Sequence, residues 1–487
     1  MLAPPVERLE PASARWFEDD RRSDQVPPQL RIHTFPSSAR SPPTIARNGR
    51  AKSEDAPAPD RARAVDGNYA MVNNDKFFTG QKPAAVLKHA VFSTYASAFF
   101  SMLGSWHDGP MWLIDGYAGP GRYDADGTGE QVNGSPMVAL ELARKQREFS
   151  KPRDIRCAFI ESKKAHYNAL CSNVAPFKAD GVHVDVFQGS AAEHLATVWA
   201  NVGSNPVLTF IDPFGVSAVT KDQMTRLLLA KDRKEPSEVL VNINVEAISR
   251  HGGCLQWDTK HEPELKPSVK YDDGIELSDS FFGSNWWRRA FLEARDRTGD
   301  ANVAAMEVVE RYRSIIFDET GASSLVVPIR RSPQGPMLFQ FTLFYRHPAA
   351  AYKFADAAAK GTADWRAQFR QKDLEEALAR EEKQPSLFGA EDVRQYNERD
   401  AKFRESQLKA AAVAQIEVNI RKLLEPLPTG GRLRVGENIE ELLGDYMSLA
   451  GQSALIAAWD SLAADRVVGD RDKSQTKNLW KTYILKR

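Results

Sequence analysis

The chain has few cysteines. Cys157, Cys171 and Cys254 are spaced 14 and 83 residues apart, which fits neither a disulfide framework nor a zinc pattern, so a reducing cytoplasm is the expected setting. Long apolar runs are also missing. No stretch reaches the ~18 residues of a membrane span, and the first residues lack the short apolar run of a secretory signal. Charge of one sign is not in excess: 65 Lys+Arg face 65 Asp+Glu. Any grip on nucleic acid must therefore come from a local patch. His166, His183 and His194 do not have the i, i+4 spacing of a helical zinc pair, and no metal site is expected. Neither a Gly-x-Ser-x-Gly elbow nor a Gly-x-x-x-x-Gly-Lys-Ser/Thr loop occurs, which leaves hydrolase and NTPase readings without an anchor.

The chain as a whole is 42% hydrophobic and 27% charged, and its 487 residues have room for two or three domains. Residues 1–68 are rich in Pro, Arg, Ser and Asp and bury too little to order themselves, so a disordered arm is expected. From Lys82 to Leu103 the apolar residues recur with helical period. Strands are then expected over 111–115, 155–161, 183–187, 206–212 and 238–243, alternating with helices over 135–147, 163–174, 191–199 and 219–230. Such alternation implies an α/β chain with a parallel, Rossmann-like sheet and flanking helices. A helical stretch over 276–317 and a hairpin, 324–330 with 337–345, complete a domain expected over 69–375. Residues 376–410 read as a charged helical linker with a kink. Residues 411–487 read as a small winged-helix-like domain, in which 466–487 carry seven Lys/Arg against Asp470 and Asp472.

The acidic and glycine motifs fall where those strands should end, which is where ligands sit in open α/β sheets. The apolar run Trp112-Leu-Ile114 leads into Asp115, then Gly116-Tyr117-Ala118-Gly119-Pro120-Gly121. Gly119 and Gly121 suit a sharp turn or a close approach to a bound molecule. Glu161 ends the second strand, where a carboxylate can accept from both ribose hydroxyls of a nucleoside; its other reading is a helix cap or surface acid. Ser190, after the third strand, lines an adenine pocket or caps the next helix. The fourth strand ends in Asp212-Pro213-Phe214-Gly215. A carboxylate and a carbonyl there can accept N–H bonds from an exocyclic amine and favour a nucleophilic nitrogen, while an aromatic ring stacks on a splayed-out base. The competing reading is a strand-ending turn with Phe214 in the core. Asn242 and Asn244 on the fifth strand can orient a base, and Arg250 can hold a phosphate or pair with a surface acid.

Asp-x-(aromatic)-x-Gly-x-Gly resembles the first motif of S-adenosylmethionine-dependent methyltransferases acting on nucleic-acid bases. Asp212-Pro-Phe-Gly215 is similar to the motif of base amino-methyltransferases, and most like that of tRNA guanine-N2 dimethyltransferases. Taken together, Ile114–Tyr123, Gly134-Ser-Pro136, Phe159-Ile-Glu161, Phe210–Gly215 and Val241-Asn-Ile-Asn244 resemble the bacterial three-Cys-motif partner family over roughly residues 80–350. The resemblance implies a class I methyltransferase fold and S-adenosylmethionine as cofactor, held by Asp115, Gly116, Tyr117, Gly119, Gly121 and Glu161, with Ser190 added where the adenine-pocket reading holds. The residues themselves lead us to expect catalysis at Asp212, Pro213 and Phe214, and substrate contacts from Asn242, Asn244 and Arg250. The resemblance also implies a partner protein carrying three cysteines. The family's usual Phe is Tyr117 here. The other function such a chain can serve is that of a non-catalytic recognition subunit in a defence or mobile-element system. Finally, Gln384-Pro-Ser-Leu387-Phe388 resembles a peptide that docks on the replication sliding clamp, against the plainer reading that Leu387 and Phe388 anchor the linker.

Overall fold

Every residue of Met111–Asp115 (β1) is buried, because both faces of this strand are covered by helices, as in parallel sheets. The computed structural model describes residues 83–125, 130–229, 235–260, 270–384 and 389–487. The expected arm over 1–68, Leu387 and Phe388 lie outside the described residues. All described residues fall in the unit Asn74–Arg487.

Helix α1 (Pro83–Leu103) precedes β1; a small hairpin of β2 (Arg122–Ala125) and β3 (Glu130–Asn133) follows it. Then come α2 (Ser135–Arg147), β4 (Ile155–Glu161), α3 (Lys164–Ala179), β5 (Val184–Gln188), α4 (Ala191–Val202), β6 (Val207–Ile211), α5 (Lys221–Leu228) and β7 (Ser237–Asn244). Helices α6 (Val245–Lys260), α7 (Lys270–Phe282), α8 (Trp286–Thr298) and α9 (Ala301–Thr320) lead to the antiparallel pair β8 (Ser323–Arg330) and β9 (Met337–Tyr345). The sheet runs β5-β4-β1-β6-β7-β9-β8, parallel through its first five strands and antiparallel from β7 onward. This is the expected Rossmann-like sheet with its closing hairpin. The winding reverses on either side of β1, so a crevice opens at the carboxyl ends of β1, β4 and β6.

Several expectations need correction. The stretch 276–317 is three helices, interrupted near Gly283 and Gly299. Helix α10 (Pro348–Lys383) runs through the domain end expected at 375 into the stretch read as a linker, and α11 (Gly389–Leu424) returns beside it. Arg366 and Arg370 both reach Glu405, so the charged linker is the far end of an antiparallel helical pair. The polar composition that reads as a linker reflects thin burial: no side chain between Trp365 and Ala412 is buried among the described residues.

Beyond α11 lie β10 (Arg432–Arg434), a short α12 (Ile439–Leu443), α13 (Gln452–Ala464) and β11 (Tyr483–Leu485). Helix α12 stops at Leu443, where Gly444 takes a φ of +50°. Strand β10 pairs antiparallel with β11, and Val468 bridges to Lys486. Ile416, Ile420, Leu455, Trp459 and Ile484 belong to the same buried cluster as Leu87, Phe92 and Phe354 of α1 and α10. The C-terminal segment thus shares its core with the helical layer on one face of the sheet. A second cluster, built from α4 to α9, covers the other face. Among the described residues no helix is long and apolar enough to cross a membrane.

Candidate active site

Parallel register brings three carboxylates to one rim. Asp115 is opposite Phe159 on one side and Phe210 on the other. Glu161 and Asp212 each stand two residues further along, so all three leave the sheet at the same edge on neighbouring strands. Their fields overlap. Burial pushes the Asp115 carboxyl up to about 7; hydrogen bonds from Ser135 and Tyr117 oppose this, and the charges of Asp212 and Glu161 add to it.

The loop after β1 wraps around this rim. Asp115 accepts from Tyr117 N at 3.0 Å and from Ser135 Oγ at 2.6 Å, which ties the loop to the first turn of α2. Gly119 and Gly121 have φ of +65° and +84°, the left-handed region that a side chain resists. A Cβ at Gly121 would lie 3.0 Å from Leu170 Cδ1 and 3.1 Å from Met137 Cε. Asn173 of α3 donates to Pro120 O at 2.9 Å between them. Gly116 N donates to Phe210 O at 2.9 Å, so its backbone stays bound to β6. Tyr117 turns toward the loop after β6, where its hydroxyl lies 3.2 Å from Ser217 Oγ and accepts from Ala218 N at 3.0 Å.

Glu161 holds the glycine loop directly. Its Oε2 accepts from Gly119 N at 2.8 Å and its Oε1 from Lys163 N at 2.7 Å. Both oxygens keep spare lone pairs for a ligand. Ser190 resolves toward its second reading: with Glu193 it forms a capping box on α4, its hydroxyl accepting from Glu193 N at 3.3 Å.

At Asp212 a residue the sequence did not single out takes part. Lys88 of α1 places Nζ 2.6 Å from both carboxylate oxygens, and it is itself buried. Asn242 Nδ2 donates to Asp212 Oδ1 at 2.8 Å. Because a carboxylate only accepts, the amide must turn its nitrogen to Asp212, and Asn242 Oδ1 is left buried without a partner among the described residues. Asn244 Nδ2 donates to Phe214 O at 2.9 Å, and its Oδ1 accepts from Ala247 N, so it fixes the Asp212-Pro213-Phe214 turn and starts α6. Pro213 is buried. Phe214 is 44% exposed, so it is not a core residue. Arg250 is exposed on α6, and among the described residues none of the contacts that build this rim involves it.

Other side chains that the sequence left unmarked surround the rim. His89 is held down to about 4, by burial first and by the Lys88 charge second, so it is neutral. The Tyr123 hydroxyl, on β2, is raised by burial and by the charges of Asp115, Asp212 and Glu161. Below the rim, Tyr95 donates to Glu238, whose carboxyl burial pushes up to about 7. Lys88 does leave a signal in the sequence. It lies on the stripe 88, 92, 95, 99 of α1, where Phe92, Tyr95 and Phe99 are buried, and a lone cation on an apolar stripe asks for an acid across the interface.

No family model matches the sequence, and no curated protein matches it. Among solved structures, the chain is similar to the O-methyltransferase TomG of Streptomyces achromogenes, from tomaymycin synthesis and solved in complex with SAM. Identity is 13% over 53% of this chain and 89% of that one, with a TM-score of 0.27. It is also similar to cofactor-bound Rv0187 from MTB, 17% identical over 55% of this chain and 91% of that one, with a TM-score of 0.26. Scores this low leave the site to be read from its own geometry.

Proposed function

We propose that the chain is an S-adenosylmethionine-dependent methyltransferase whose acceptor is an exocyclic amine of a nucleic-acid base. The observation that carries this reading is the single rim shared by Asp115, Glu161 and Asp212. Three carboxylates with one buried lysine among them leave an excess of negative charge, which suits a cationic ligand bearing a ribose. S-adenosylmethionine, when bound, supplies an electrophilic methyl group on its sulfonium.

The residues divide the work by position. Asp115 and the Gly119–Gly121 turn face the methionine end, and Glu161 accepts from the ribose hydroxyls. The buried Ser135 and Tyr117 hydrogen bonds hold Asp115 in place, so little reorganisation accompanies binding. Asp212 accepts an N–H of the acceptor amine and takes the proton that the nitrogen sheds once it is methylated. Phe214, exposed beside it, stacks on the base. Asn242 and Asn244 act on Asp212 and the Phe214 backbone and are positioning residues.

The nucleic-acid half of the reading takes support from the order α11, β10, α12, α13, then Val468 and β11, with β11 between the other two strands, an order that suits a winged helix. The surface of α13 bears Asp460 and no cation, so the grip falls to the basic segment 466–487 instead. The finer placement, among three-Cys-motif partner proteins working with a three-cysteine protein, rests on the motif resemblance.

Calorimetry with S-adenosylmethionine tests the core of the reading: binding in the micromolar range, weakened at least tenfold by Glu161→Ala. Absence of binding, or indifference to that change, would refute it. A second reading has one observation in its favour, the engagement of Asp212 by Lys88: the chain is then a recognition subunit with the acceptor position closed. It requires that Asp212→Ala leave cellular function intact while truncation after residue 410 abolishes it.

A further inference from the structure

We infer that Lys88 and Asp212 act together as a donor–acceptor pair that reads the amidine edge of the acceptor base, an exocyclic amine beside an unprotonated ring nitrogen. The inference rests on the reading of Asp212 as the acceptor site and adds the group recognised next to the amine.

Among the described residues, Asp212 Oδ1 already accepts from Lys88 and from Asn242, whereas Oδ2 accepts from Lys88 alone. An incoming N–H therefore goes to Oδ2. The ammonium of Lys88 has three hydrogens. Two face the carboxylate oxygens. Among the described residues the third meets no oxygen or nitrogen acceptor, only the face of Phe339, whose ring centre lies 5.4 Å from Nζ.

Nζ stands 2.6 Å from Oδ2, so the donor and the acceptor are presented side by side. In an amidine the amine and ring nitrogens are roughly 2.3 Å apart, from two C–N bonds of ~1.33 Å at a trigonal carbon. The two pairs match head to head: amine N–H to Oδ2, Lys88 N–H to the ring nitrogen. Adenine N6/N1, cytosine N4/N3 and guanine N2/N3 offer this edge. A ribose hydroxyl or an isolated amine offers only half of it and leaves the buried ammonium short of a partner, the kind of loss that gives a polar site its selectivity. Lys88 is thus a specificity-determining residue. It also explains why an acid at this position is paired in advance: the pair presents a near-neutral polar edge rather than a bare carboxylate, which suits an uncharged base.

The experiment compares methyl transfer from S-adenosylmethionine to oligonucleotides carrying natural bases with transfer to the same strands carrying 1-deazaadenine, 3-deazacytosine or 3-deazaguanine. Wild type and Lys88→Met are both assayed, and the methylated atom is located by mass spectrometry of the nucleosides. Replacing the ring nitrogen by CH is expected to slow wild type at least tenfold. Lys88→Met should lose a similar factor on the natural base and nothing further on its deaza analogue. Equal wild-type rates on natural and deaza bases would overturn the inference, as would equal Lys88→Met losses on both, or a methyl group on ribose oxygen. S-adenosylmethionine affinity of Lys88→Met within threefold of wild type shows that the fold survives; should that variant not fold, the wild-type analogue series decides alone. Failure of the underlying reading looks different, because wild type then binds no S-adenosylmethionine.

Discussion

The protonation of Asp115 makes the cofactor reading measurable. Its carboxyl, pushed up to about 7 by burial, is about half protonated at neutral pH. A sulfonium or ammonium bound beside it favours the ionised form, so only that fraction of the protein is competent. With the competent fraction falling from ~0.9 at pH 8 to ~0.1 at pH 6, apparent affinity for S-adenosylmethionine should weaken about tenfold, or ~1.4 kcal/mol. Calorimetry in two buffers of different ionisation enthalpy should also detect roughly half a proton released per binding event at pH 7. Asp115→Asn keeps an acceptor for Tyr117 N but cannot ionise. It should bind more weakly at pH 8 and lose most of this pH dependence. The same group acts on folding with the opposite sense. Because its folded value is raised, the native state binds more protons, and stability falls as pH rises from about 4 to 7. The thermal midpoint of Asp115→Asn should accordingly gain on wild type across that interval. A wild-type affinity that is flat from pH 6 to 8, or a slope that survives in Asp115→Asn, would refute the placement of a cation at this carboxylate.

Three further outcomes follow from the geometry. Gly121→Ala forces a side chain into φ +84° with Leu170 and Met137 about 3 Å from its Cβ; it should cost roughly 1–2 kcal/mol in urea denaturation, and an unchanged midpoint would contradict the tight turn. Tyr95→Phe strips the buried Glu238 of its hydroxyl donor. A loss of ~1–3 kcal/mol is expected, greater at pH 8 than at pH 6, because Glu238 ionises near 7; a pH-independent loss would count against the ionised pair. Phe214→Ala, at a side chain 44% exposed, should leave stability within ~0.5 kcal/mol of wild type. Methyl transfer to an oligonucleotide should fall at least fivefold, as expected for a lost stacking contact of ~1–3 kcal/mol; full activity would remove the ring from the acceptor site.

By itself, the sequence determined which residues end the strands. Apolar runs closing in Asp115, Glu161 and Asp212 mark buried parallel strands that stop at a polar rim, because strand burial and the change of residue type at its end are local properties of the chain. The glycines of 116–121 were legible for the same reason, since a positive φ is a demand made on one residue at a time. Tertiary structure alone decided what each of those groups touches. Lys88 meets Asp212 across 124 residues. Ser190 spends its hydroxyl on a helix end, Phe214 turns out of the core, and the charged stretch before 410 folds back as half of a helical pair held by Glu405. Local signals, the apolar stripe around Lys88 and the Ser190-to-Glu193 spacing, leave the partner open, because that depends on which surface the sheet and its covering helices bring within a few ångströms. Ion pairing and hydrogen bonding act over that distance in space, whatever the separation along the chain.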